Sequence, residues 1–235
     1  MEIFTEEQAQ QIVDTLKLGY NVYIQERLDK KRDMFASSGY AWVRGNIIDD
    51  AFVKANLGFI NNPVVAIAGQ SWEYVKFNVQ HEEHGKILFL VKNGTRLNTR
   101  EPSGYLLDYA KANRSLLKEI TTISSESDKN TNWNDGEQLA FDLGIIEGND
   151  FEGDFDCFFI LAFELGEDKQ INSVAVTALD EQGSLHVLQN LSQYIQSSPI
   201  EPIQGKDEEI RGLGEELDER QVFGYGVPIE REEAN

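Results

Sequence analysis

A single cysteine, Cys157, stands in 235 residues. No internal disulfide can form, so the chain must hold itself together by core packing, which a chain of this length can supply. Cys157 lies in the run Asp156-Cys157-Phe158-Phe159-Ile160-Leu161. That run reads as a buried strand, and no histidine or basic residue beside it in sequence would stabilise a thiolate. Long apolar runs are missing as well. The densest, Cys157 to Phe163, is far shorter than the roughly 20 residues that span a bilayer. The opening Met1-Glu2-Ile3-Phe4-Thr5-Glu6-Glu7 is acidic and has no apolar core of a signal peptide. We therefore expect a cytoplasmic protein of a reducing compartment with no membrane association. The familiar catalytic spacings are also missing. There is no glycine-rich loop followed by Lys-Ser/Thr and no Gly-x-Ser-x-Gly, and Gly144 and Gly148 lack the strand-then-helix setting of a dinucleotide site. No cofactor is implied, and enzymatic activity is unsupported rather than excluded.

Basic residues are scarce in one half only. Residues 1–120 hold 15 Asp/Glu and 15 Lys/Arg, whereas residues 121–235 hold 26 Asp/Glu against 6 Lys/Arg, so the whole net charge of −20 belongs to the second half. Such an excess repels phosphates, which argues against direct nucleic-acid binding by that half. It fits a solvated surface that aids solubility, or a surface that meets a basic partner.

Hydrophobic periodicity predicts an α+β chain. Residues 5–30 read as an amphipathic helix capped by Thr5 with Gln8, with Gly19 as a point where it bends or breaks and Arg27–Asp33 ending it in solvent. A second helix is expected over 40–57, then a turn at Asn61-Asn62-Pro63. Strands follow at Val64–Ala68, Tyr74–Gln80 and Ile87–Val91, the middle one alternating with the period of two of a half-buried strand. After Glu101-Pro102-Ser103-Gly104 comes a helix carrying Leu106, Leu107, Tyr109, Ala110 and Leu117. Residues 122–136 read as a polar linker, and 137–198 as a short helix near Gln138–Leu143 with a second meander of Phe158–Leu165, Val174–Leu179 and Leu185–Leu188. The six strands form either one antiparallel sheet of two meanders or two small domains, one within 1–121 and one within 137–198. The acidic stretch 199–235 reads as a solvated tail, with Val222–Pro228 apolar enough to return as an edge strand.

Few residue groups suggest chemistry. His81-Glu82-Glu83-His84 has its histidines three apart in a hairpin loop, not four apart on a helix, and His186 lies on a distant strand, so a polar turn is expected rather than a metal site. Asp150, Glu152, Asp154, Asp156 and Glu164 could pair carboxylates around a divalent cation, but they lack the spacing of a calcium loop and a following lysine. We read them as an acidic loop entering a buried strand, with no metal. Lys92, Arg96 and Arg100 form a basic loop able to contact phosphates, which Arg27, Lys30, Lys31 and Arg32 would extend if the fold brought them near.

The stretch Ser38-Gly39-Tyr40-Ala41-Trp42-Val43-Arg44-Gly45-Asn46-Ile47-Ile48-Asp49-Asp50-Ala51-Phe52 resembles part of an uncharacterised family of similar-length proteins from Gram-positive bacteria and their mobile elements. The resemblance implies no activity. It singles out Trp42, Arg44 and Asp49, for which core packing of the tryptophan and a surface ion pair of Arg44 with Asp49 or Asp50 are the plain expectations. Two functions follow. The first is an interaction or regulatory protein whose acidic half, with Glu215, Glu216, Asp218 and Glu219 at its densest, engages a basic partner that handles nucleic acid. The alternative is a nucleic-acid binder or processing enzyme using Lys92, Arg96 and Arg100, covered by the acidic tail when idle.

Overall fold

The computed structural model describes residues 1–68, 72–94, 103–118 and 155–203. Six strands form one sheet in sequence order: β1 (Ile60–Ala68), β2 (Trp72–His81), β3 (Gly85–Asn93), β4 (Cys157–Leu165), β5 (Ile171–Leu179) and β6 (Leu185–Asn190). Two antiparallel meanders, β1-β2-β3 and β4-β5-β6, meet at a parallel pair running from Ile87↔Cys157 to Asn93↔Phe163. The sheet is thus continuous, and among the described strands the parallel seam is the one departure from antiparallel pairing. A parallel neighbour needs a long crossover. The chain between Asn93 and Cys157 supplies it, and α3 (Gly104–Ala110), on that crossover, covers one face of the sheet.

The seam strands have cover on both faces. Ile87, Phe89, Val91, Phe159 and Leu161 pack into the larger core with α1 (Glu6–Asp33) and α2 (Arg44–Ala55), while Leu88, Leu90, Phe158, Ile160 and Ala162 pack with Leu106 and Tyr109 of α3. This explains the unbroken apolar runs, since a strand buried on both faces loses its alternation. Full burial of one such side chain contributes about 1.5–3 kcal/mol. Asn113 fastens the α3 side to the seam. Its amide donates to Phe158 O at 2.7 Å and Leu179 O at 3.0 Å, and its Oδ1 accepts from Phe158 N at 2.8 Å, all buried.

The N-terminal helix starts as expected, with Thr5 and Gln8 in a reciprocal capping box. It does not break at Gly19. The glycine lies where α2 crosses, and a Cβ there would stand 2.8 Å from Ala51 Cβ and 3.2 Å from Ile48 Cα. Its place is set by close approach of two helices rather than by a bend. The helix ends at Asp33 with Lys31, Arg32 and Asp33 exposed, as expected, but Arg27 is fully buried, with Nη1 donating to Ser37 O at 2.5 Å. The expected second helix resolves into a short 3-10 turn, Ser38–Ala41, followed by α2. Asn61-Asn62-Pro63 is a bulge inside β1 rather than a turn before it, with Asn62 at φ 48°. Among the described residues, no helix is long and apolar enough to cross a membrane.

Candidate functional site

The described sequence-singled residues scatter, and one of them leads to a centre of buried charge. The pairing of β2 with β3 stops at Phe77↔Phe89. Beyond that point β2 still pairs with β1, and its other side needs new partners. Helix α2 supplies them. Asn46 Nδ2 donates to Glu73 O at 3.2 Å, and Asp49 Oδ2 accepts from Val75 N at 3.0 Å. The two side chains are three residues apart and so share one helix face. Asp49 is 3% exposed, and its Oδ1 has no hydrogen-bond partner among the described residues. Burial raises its carboxyl to about 6, against the lowering influence of Lys92 and the Val75 amide.

Lys92 sits across this opening at the end of β3, its Nζ 4.8 Å from the centre of the Tyr74 ring. Burial lowers its pKa, while Asp49 and Tyr74 pull it upward. Tyr74 Oη and Tyr109 Oη lie 2.8 Å apart, and Tyr105 stacks near Tyr74 with centroids 5.0 Å apart. Burial raises Tyr105 and Tyr109 well above the ordinary phenol range. The result is an acid and a base facing three tyrosines that keep their protons, with α2 on one side and α3 on the other. The ammonium that the nucleic-acid alternative gives to phosphate is held over a ring here. Arg96 and Arg100 lie outside the described residues, as do Glu215, Glu216, Asp218 and Glu219.

Arg44 and Asp49 do not form the surface ion pair expected of them. Both are buried, Arg44 with its guanidinium 5.9 Å from the Tyr23 ring centre, while Asp50 pairs with Lys54 on the surface. Helix geometry explains it, because Asp50 and Lys54 are four apart on the outer face. Trp42 meets Trp72 edge to face at 6.1 Å.

The histidine turn shapes a second location. His81 and His84 stack at 4.7 Å, and His81 Nδ1 accepts the backbone N–H groups of Glu83 and His84. A cleft of about 320 Å³ opens there between Glu83, His84, Gly85, Leu116, Asp156 and Cys157. Its groups serve the backbone: Asp156 Oδ2 accepts from Lys86 N at 2.8 Å, and Asp156 N donates to Lys86 O at 2.7 Å. Those bonds extend the β3–β4 seam by one residue. Burial and the charge of Asp156 push the Cys157 thiol up, away from a nucleophilic thiolate. Asp154 lies outside the described residues, and Glu164 is half-buried on β4 with its carboxyl raised by burial. Among the described residues no three His, Cys, Asp or Glu side chains gather to hold a metal.

One feature escaped the sequence reading. Edge strand β1 is exposed over most of its length, with Val64, Val65 and Ile67 at 51%, 62% and 63% exposure. The sequence marked Val64–Ala68 as a strand but gave no sign that it lies at an edge. Only the sheet order shows that, among the described residues, β1 has a neighbour on one side alone.

The chain matches no protein-family model, no curated protein and no solved structure. The functional reading therefore rests on its own residues.

Proposed function

We propose that this chain is a non-enzymatic interaction protein whose acidic second half engages a basic, nucleic-acid-handling partner. In its sharpest form, the carboxylates occupy the groove that the partner offers to phosphates. Charge segregation supports the reading: 26 Asp/Glu against 6 Lys/Arg in residues 121–235, beside a balanced first half. Among the described residues, four of the seven carboxylates of this half have side-chain partners in the fold. Asp156 holds Lys86 N, Asp168 holds Gln170 N, Asp180 holds Gln182 N and Ser184 N, and Glu181 pairs with Arg114. The other nineteen of the 26 belong to residues 121–154 and 204–235, outside the described residues.

The test is capture of partners from a lysate of the source organism by the full chain, at low and high salt. A quadruple charge reversal of Glu215, Glu216, Asp218 and Glu219 to lysine runs beside it. A nucleic-acid-binding protein should be retained at low salt, released at high salt, displaced by added duplex DNA and lost with the reversed chain. Screening over about 10 Å at 0.1 M salt predicts that dependence. A partner held equally by the reversed chain and indifferent to salt would overturn the reading.

A further inference from the structure

The sheet ends differently on its two sides. At β6 the strand is short and its pairing with β5 is bulged, and Gln189 fastens the N-terminal segment alongside: Oε1 accepts from Ile3 N and Phe4 N, and Nε2 donates to Phe4 O. Natural proteins protect sheet edges with such devices. At β1 the protection stops early. The bulge and Pro63 guard its start, and Val64-Val65-Ala66-Ile67-Ala68 follows with no ionisable residue.

The register tells which backbone groups stand open. Val75 N and Glu73 O point away from β1, because Asp49 and Asn46 hold them from the far side. Val65↔Val75 and Ile67↔Glu73 are therefore non-hydrogen-bonded pairs. It follows that the N–H and C=O groups of Val65 and Ile67 point outward from the sheet, and no described residue bonds them.

We propose that β1 pairs antiparallel with β1 of a second copy, about a two-fold axis at Ala66, joining two sheets into one. Val65 then exchanges both backbone bonds with Ile67 of the second copy, and Ile67 does so with its Val65. Ala66 faces Ala66 at the closest spacing of an antiparallel ladder, about 4.5 Å between Cα atoms, where a methyl group fits. On one face Val65 lies beside Ile67, and on the other Val64 lies beside Ala68. This is the self-complementary pattern that a two-fold contact requires. The register selects the second copy as occupant, because the outward backbone groups of Val65 and Ile67 stand on either side of Ala66 and match their own two-fold image. Each chain carries −20, and β1 is a stretch on which two copies meet without setting ionised groups against each other. A specific contact needs about 1,000 Å² in total. Two strands with their exposed valines and isoleucines lie at the small end of that scale, so the dimer is reversible.

Sedimentation equilibrium of the full chain over the micromolar range tests this. A monomer–dimer equilibrium that strengthens as salt screens the repulsion is expected, opposite in sign to the salt response of basic-partner binding. Ile67→Lys, on an exposed side chain, should leave the unfolding curve in place and shift the chain to monomer by tenfold or more in dissociation constant. Ala66→Cys in a Cys157→Ala background should oxidise to a covalent dimer, whereas Val64→Cys and Ala68→Cys in the same background should not, because only the residue on the axis meets its own copy within disulfide range. A monomer at every concentration, or a dimer that I67K leaves intact and A66C does not trap, overturns the proposal. Partner capture by I67K separates this failure from that of the acidic-half reading.

Discussion

Asp49 is a residue at which the fold disfavours a charge. Its folded-state carboxyl titrates near 6, against 3.8 for the ordinary group. A raised carboxyl means that the folded chain binds the proton more tightly than the unfolded chain does. Stability is therefore highest below about pH 4 as far as this group is concerned, and is lost as pH rises through 6. Asp49→Asn keeps an acceptor for Val75 N and removes the ionisation. In paired urea titrations the unfolding free energy of D49N relative to the unaltered chain should improve by about 2 kcal/mol between about pH 4.5 and pH 7.5. A difference flat across that window would show that Asp49 is solvated in the native state. Asn113 gives the complementary case of a neutral group with every bond made. Asn113→Ala leaves Phe158 N and the carbonyls of Phe158 and Leu179 without their buried partner. It should cost about 3 kcal/mol in the same measurement, because buried backbone groups then lose water and partner alike.

At the scale of elements, the crossing of α1 and α2 depends on the missing side chain at Gly19. Gly19→Val brings methyl groups against Ala51 Cβ and the backbone of Ile48. Thermal unfolding should register about 1–3 kcal/mol of destabilisation. Gly19→Ala with Ala51→Gly should recover most of it by moving the methyl across the contact. If G19V is silent, the helices are not held at this distance. The amphipathic stripe of α1, its cap and most strand positions were legible in the sequence, because 3.6-residue and 2-residue periodicities report local geometry directly. The role of Gly19 was not, since a glycine in a helix reads as a weakness until its neighbour is known. The parallel seam did leave a trace. Ile87–Val91 and Cys157–Phe163 lack the alternation of β2, and continuous runs of that kind belong to strands covered on both faces.

For the whole molecule, the open edge and the segregated charge make opposite demands on salt. Pairing of β1 strands should tighten with ionic strength and capture of a basic partner should weaken, so one salt series on the full chain reads both. The two proposals are compatible, because the uncharged strand lies in the balanced half and the carboxylate excess in the other. The amino-acid sequence alone determined the α+β class, the count of strands, the capping of α1 and the charge imbalance, all of which depend on residues near one another in the chain or on composition. The tertiary structure decided that the two meanders share one sheet, that Arg27, Arg44 and Asp49 are buried rather than solvated, and that the Val65 and Ile67 backbone of β1 points outward with no partner among the described residues. Those outcomes depend on which distant segment lies alongside, and periodicity carries no information about the neighbour.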